Sequence, residues 1–214
     1  MQIVSNLIVQ IIILIRELLF VSIRPNLWRF YLFFQFEYFF FSPYYYADKQ
    51  ADDDFIFGYT PLFTYNKIIK TIIKAMNIKA LGKKYCDCGF GDGRGLFLYS
   101  LLYGINSSGF ELNKKLAAKT CSLNQLLGVP VETIINGSFL NYSFSEYDII
   151  FIAWTTFKDA TVDNFVKKLV QEVKKGTVVV TLSFPIDNDG FKLIKNHWKF
   201  FSWGRSMVYY QYKI

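Results

Sequence analysis

The sequence predicts an α/β fold: a doubly wound, mostly parallel seven-stranded sheet with an antiparallel C-terminal edge strand, preceded by an N-terminal hydrophobic helix. Three observations lead there. From Tyr65 onward, apolar runs of strand length alternate with segments of helical period, the pattern of a parallel sheet wrapped by helices. The first of these strands runs into Gly89, Gly91, Gly93 and Gly95. The chain then ends in two strand-like runs joined at Gly204-Arg205, which reads as a hairpin.

Composition narrows the class. Of 214 residues, 52% are apolar and 20% aromatic, so the chain has ample surface to bury and disorder is excluded. Three cysteines exclude a disulfide scaffold, and His197 as the sole histidine leaves a Cys/His zinc site short of ligands. No metal site is expected. The net charge of +7 is unevenly spread: residues 1–46 hold three arginines and two acids, residues 55–214 twenty basic and eleven acidic residues. The acidic stretch Asp48 to Asp54 between them reads as a solvated linker over 47–56.

Ile3 to Ile23 is almost wholly apolar, broken by Ser5-Asn6, Gln10, Ser22 and the charged pair Arg16-Glu17. Such a helix is about 31 Å long, the thickness of a bilayer's hydrocarbon core. Pro25 stops or kinks it. From Trp28 to Tyr46, thirteen of nineteen residues are aromatic, and such rings favour the headgroup region. Residues 1–46 are therefore expected to be a membrane anchor, spanning or lying on the surface, with a buried core helix as the alternative. The start lacks the basic region and small-residue cleavage site of a signal peptide. If the helix spans, Arg24 and Arg29 place the following domain on the cytoplasmic or a matrix-like side.

Residues 57–214 form the expected single domain. Tyr65–Met76 sets Ile68, Ile69, Ile72, Ile73 and Met76 on one helical face with lysines between. Strands follow at Lys84–Cys88, Ser107–Glu111, Val131–Ile135, Tyr147–Ala153 and Thr177–Leu182. The helices between them are Leu96–Leu102, Lys114–Leu127 and Val162–Lys174. Gly128 and Gly176 supply helix ends. His197–Trp203 and Ser206–Lys213 are the closing hairpin. Cys86 and Cys88 should face away from Asp87 as core residues. Cys121 is expected to be buried on its helix, and His197 to pack or face solvent.

The chemistry gathers at the end of the first strand, where Asp87, Gly89, Gly91 and Gly93 spell Asp-x-Gly-x-Gly-x-Gly. Glycine there lets backbone turn tightly and approach a ligand, and ligands of such sheets sit beyond the carboxyl ends of the strands. A dinucleotide loop needs Gly-x-Gly-x-x-Gly, but the third position falls on Arg94 or Leu96 in the two available frames. No Gly-Lys-Ser/Thr follows, which excludes a Walker loop. Asp87 and Asp92 would repel a pyrophosphate yet suit a cofactor carrying an ammonium and a sulfonium, as S-adenosylmethionine does. Glu111, at the tip of the second strand, can accept hydrogen bonds from both ribose hydroxyls of a nucleoside cofactor.

On these residues the chain resembles the class I, seven-strand S-adenosylmethionine-dependent methyltransferases over about residues 57–214. It further resembles a family of lysine methyltransferases that includes membrane-anchored mitochondrial enzymes acting on ATP synthase subunit c and on the adenine nucleotide carrier. The likeness lies in Tyr59-Thr60-Pro61-Leu62-Phe63-Thr64, the loop Asp87 to Arg94, Gly109-Phe110-Glu111-Leu112 and Phe184-Pro185. The resemblance implies protein-lysine methylation, with Asp87, Gly89, Gly91, Asp92, Gly93 and Glu111 at the cofactor. Ser138 stands where such enzymes often place an adenine-reading Asp.

A lysine acceptor must lose its proton, which an aromatic, water-poor pocket favours. Tyr59, Thr64, Trp154 and Thr155 are the candidates to line that pocket, and no dedicated base is identifiable. Trp154-Thr155 stands where nucleobase amino-methylating enzymes carry Asp-Pro-Pro-Tyr. No RNA-reading module accompanies the basic face of lysines 67, 70, 74, 79, 83 and 84, so nucleic acid is not the expected partner. RNA, small-molecule or lipid methylation stays open within the enzyme class. A catalytically silent membrane scaffold with the same fold stays open outside it.

Overall fold

A computed structural model describes residues 2–40 and 58–214, with side chains of the first segment described over 8–36. The expected linker at 47–56 and the aromatic run from Phe41 to Tyr46 lie outside the described residues. Two N-terminal helices, α1 (Gln2–Ser22) and α2 (Trp28–Phe40), are joined by a 3-10 turn at Pro25–Leu27. Then follow α3 (Leu62–Met76), β1 (Lys84–Cys88), α4 (Arg94–Tyr103), β2 (Asn106–Glu111) and α5 (Lys114–Leu127). The chain continues through β3 (Thr133–Asn136), β4 (Ile149–Ile152), α6 (Asp159–Glu172), β5 (Val178–Leu182), β6 (Phe191–Phe201) and β7 (Gly204–Lys213).

The seven strands lie in the order β3-β2-β1-β4-β5-β7-β6. β1 to β5 are mutually parallel, and β7 runs antiparallel to both neighbours. The strand order turns back between β1 and β4, which opens a crevice beyond their carboxyl ends. The antiparallel strand expected at the edge stands one place in from it. Phe201 pairs Gly204 across a tight turn, and Val180 pairs Tyr210, so β7 fills the place beside β5 and β6 takes the edge. β6 also starts at Phe191, earlier than expected, because an edge strand with an irregularity between Leu193 and Lys195 carries polar residues on both faces.

Two layers of side chains cover the sheet. Alternation along β1 sends Tyr85 and Asp87 to one face and Cys86 and Cys88 to the other, where the thiols are buried with Phe165 and Leu169 of α6. The opposite face is covered by α3, α4 and part of α5, and also by the N-terminal segment. Ile13, Phe20, Val21, Leu27, Phe30 and Phe34 share that core with Phe97 of α4, the rings of Phe30 and Phe97 lying 5.5 Å apart.

The expectation of a crossing helix is corrected here. Among the described residues no helix is long and apolar enough to cross a membrane. α1 carries Arg16 and Glu17 in its C-terminal third, and Ile13, Glu17, Phe20 and Val21, at helical spacing, are buried against the domain. Orientation by flanking arginines presupposed a span, so it no longer applies. Cys121 is likewise exposed, not buried.

Candidate active site

The loop after β1 exists because three glycines accept left-handed backbone: φ is +92° at Gly89, +58° at Gly91 and +77° at Gly93. Gly93 also fixes spacing, since a Cβ there would stand 2.4 Å from the Thr120 methyl on α5. Gly91 N–H donates to Glu111 Oε2 at 2.9 Å, and Asn113 N–H donates to Oε1 at 2.8 Å. One carboxylate thus pins the loop after β1 to the loop after β2. Burial pushes the Glu111 carboxyl up, against the amides of Asn113, Gly91 and Leu112 that hold it down.

Asp87 lies under the loop. Its Oδ2 accepts the Tyr85 hydroxyl at 2.9 Å and the Tyr65 hydroxyl at 3.3 Å, while the buried Oδ1 has no hydrogen-bond partner. Burial pushes its pKa up to about 7, despite the two phenols and with Glu111 and Asp92 adding to the rise. Asp92 is answered by the neighbouring arginine. Arg94 Nη2 lies 2.7 Å from Asp92 Oδ2 and its Nε donates to both oxygens. The guanidinium stacks 4.1 Å from the Tyr59 ring centroid and stands 3.8 Å from Glu17 Oε1 of α1. Glu17 also accepts the Leu62 amide at 2.7 Å, at the start of α3.

These elements enclose a cavity of about 560 Å³ at the carboxyl ends of β1 and β2. Its walls are Gly89 to Asp92, Glu111 to Asn113, Gly137 to Leu140, Tyr59, Tyr65 and Phe157. Of the sequence candidates, Tyr59, Gly89, Gly91, Asp92, Glu111 and Ser138 line it, while Asp87 and Gly93 are not among its lining residues. Ser138 also accepts the Leu140 amide at 3.3 Å and caps a 3-10 turn.

Three candidates are not brought into the cavity. Thr64 is buried and donates to Phe200 O at 2.8 Å. Trp154 is buried and its indole donates to Phe184 O at 3.2 Å. The exposed Thr155 hydroxyl bonds Ser183 at 2.9 Å. His197 lies on β6, bonded through Nε2 to the Tyr210 hydroxyl; burial and the nearby lysines hold its pKa down to about 4. Among the described residues no His, Cys, Asp and Glu cluster could hold a metal.

Sequence reasoning missed Arg94 as a clamp, and Glu17 altogether. The signal for Glu17 was a carboxylate inside an apolar helix, because a buried charge needs a partner.

No protein-family model matches this sequence, and no curated protein sequence does. Solved structures share the fold. A magnesium protoporphyrin IX methyltransferase from Synechocystis PCC 6803 with bound SAM aligns at 12% identity and a TM-score of 0.60, over 72% of this chain and 79% of that one. An RNA methyltransferase from Salinibacter ruber, in complex with S-adenosyl-L-homocysteine, aligns at 18% identity and 0.54, over 69% and 90%. A mutant of MtNAS in complex with S-adenosylmethionine aligns at 15% identity and 0.57, over 98% and 75%. The likeness establishes a Rossmann-like methyltransferase fold for this chain.

Proposed function

We propose that this chain is an S-adenosylmethionine-dependent methyltransferase that works at a membrane surface on a protein lysine side chain. One observation carries the cofactor reading: among the described residues, the charged ones lining the cavity are Asp92 and Glu111, with no lysine or arginine in that lining. A pyrophosphate would meet no cation there, whereas a cationic nucleoside meets carboxylates. The structural neighbours that hold S-adenosylmethionine or its product support the same choice.

The residues fit the cofactor. The loop Gly89 to Asp92 presents backbone without Cβ atoms at two of its four positions. The Glu111 carboxylate, after accepting its backbone amides, keeps acceptor capacity for a sugar hydroxyl. Leu112, Phe139 and Leu140 offer apolar surface for a base, with Ser138 beside them. When bound, the cofactor supplies a methyl group on positively charged sulfur. Tyr59, Tyr65 and Phe157 enclose the remaining wall and exclude water. An amine entering among those rings is desolvated, which lowers its pKa and favours its neutral, nucleophilic form. Holding that amine in line supplies several kcal/mol of the barrier reduction without a dedicated base.

Support for lysine comes from the run Tyr59 to Thr64, of which Tyr59 and Thr60 line the cavity. Calorimetry should find S-adenosylmethionine bound and NAD not. Labelled methyl transferred into membrane and soluble extracts should then appear on protein lysine. Label confined to RNA, lipid or small molecules overturns the acceptor. A folded sample that binds no S-adenosylmethionine leaves a silent scaffold.

A further inference from the structure

α1 has two working faces. Its inner face presents Glu17 to Arg94, which holds Asp92 and stacks on Tyr59, both at the cavity wall. Its outer face is bare and apolar: Ile8, Ile11, Ile15, Leu18 and Leu19 are between 47% and 66% exposed, and Ile23 just beyond its end is 74% exposed. So many large aliphatic side chains on one helix exceed what a soluble surface ordinarily shows.

Charge indicates what covers that face. Among the described side chains of α1 and α2, Glu17 is the sole carboxylate, and it points inward. The outward charges are cationic. Arg16 lies over the rings of Phe63 and Phe200, and Lys67 of α3 reaches the same Phe63 ring. Arg205 lies over Phe200 and the exposed Trp198 on the β6–β7 hairpin. Trp28, at the start of α2, is also half exposed. An apolar helix face bordered by arginine, lysine and tryptophan is complementary to an anionic bilayer surface, with the helix lying in the interfacial plane.

We infer that α1 couples the two events: docking of its outer face on an anionic lipid surface tightens cofactor binding, with Glu17 as the positioning residue that carries the coupling through Arg94. A helix held by lipid holds Glu17 in place, and Arg94 then fixes Asp92 and Tyr59 around the cavity. Linkage makes the effect reciprocal, so bound cofactor also strengthens attachment to lipid. The inference rests on the reading of the cavity as an S-adenosylmethionine site.

The test is a thermodynamic cycle on the full chain. S-adenosylmethionine affinity is measured alone, with phosphatidylcholine vesicles, and with vesicles containing phosphatidylglycerol. Flotation is measured with and without cofactor. Anionic vesicles should bind and tighten the cofactor about fivefold or more, the lower range of allosteric coupling. Ile15→Asp with Leu19→Asp should abolish flotation and leave the vesicle-free affinity intact. Glu17→Gln should still float while losing the fivefold gain, a split that a merely structural role would not produce.

Vesicles that bind without changing affinity in the native chain overturn the coupling, whatever the variants do. A chain that ignores vesicles and instead dimerises with concentration overturns the lipid, and places a second copy on this face. Cofactor that fails to bind under every condition overturns the functional reading as well. That result is distinguishable, because the other two leave vesicle-free binding in place.

Discussion

Glu111 accepts the Gly91 amide at 2.9 Å, so the tip of β2 shapes the loop that follows β1. Under the proposed function the same carboxylate meets the cofactor's sugar. Its replacement should therefore damage both loop and ligand. Hydrogen bonds to a charged group are worth about 1.5–3 kcal/mol each. Glu111→Ala should weaken S-adenosylmethionine binding by about 100-fold and Glu111→Gln by about tenfold, read by calorimetry. Native affinity in Glu111→Ala would put the sugar elsewhere.

Gly93 is held twice, by its φ of +77° and by Thr120 2.4 Å from any added Cβ. Left-handed backbone costs a Cβ-bearing residue about 1–2 kcal/mol, and overpacking adds about 1–3. Gly93→Ala should lower unfolding free energy by about 2–4 kcal/mol in denaturant titrations. Adding Thr120→Ser, which deletes the clashing methyl, should restore the steric share and leave the backbone share. No recovery in the double variant would show that the methyl gives way at no cost.

Asp87 should make both stability and binding depend on pH. Burial raises its carboxyl from an ordinary 3.8 to about 7, so the folded chain keeps a proton that the unfolded chain releases. The stability Asp87 contributes is therefore present below about pH 4, and it is lost as pH rises towards 7, by at most about 1.4 kcal/mol per pH unit. A cation placed in the adjacent cavity favours the charged form. Binding near pH 7 should release a fraction of a proton, seen as buffer-dependent heat. Asp87→Asn should abolish that release.

Trp154 and Tyr59 should separate cleanly. Trp154→Phe loses one indole hydrogen bond to Phe184 O inside the core, so it should cost about 1–3 kcal/mol of stability and leave cofactor affinity unchanged. Tyr59→Ala strips a ring from the cavity wall and from the Arg94 guanidinium, and it should slow methyl transfer. A Trp154→Phe protein with native stability and lost transfer would return that residue to the acceptor pocket.

How far the sequence was legible depended on whether a requirement was local. The glycine loop could be read because left-handed backbone selects glycine, and Glu111 because a strand of known length ends there. The place of β7 could not be read, since pairing of Val180 with Tyr210 is a register between distant segments. Trp154 misled because an aromatic residue after a strand looks the same in a core as in a pocket. Glu17 lay in plain view, but its meaning came from Arg94, far along the chain. The hydropathy of α1 was read as one property, although its burial divides it into two faces.

The interior position of β7 has one further consequence. All five residues of β5, Val178 to Leu182, are buried, and β7 is what closes their outer side. A stop codon placed before Gly204 would delete that strand and leave β5 as a flat, hydrophobic edge open to pairing with another molecule. Early termination of this gene would thus favour aggregation over a shortened, folded domain.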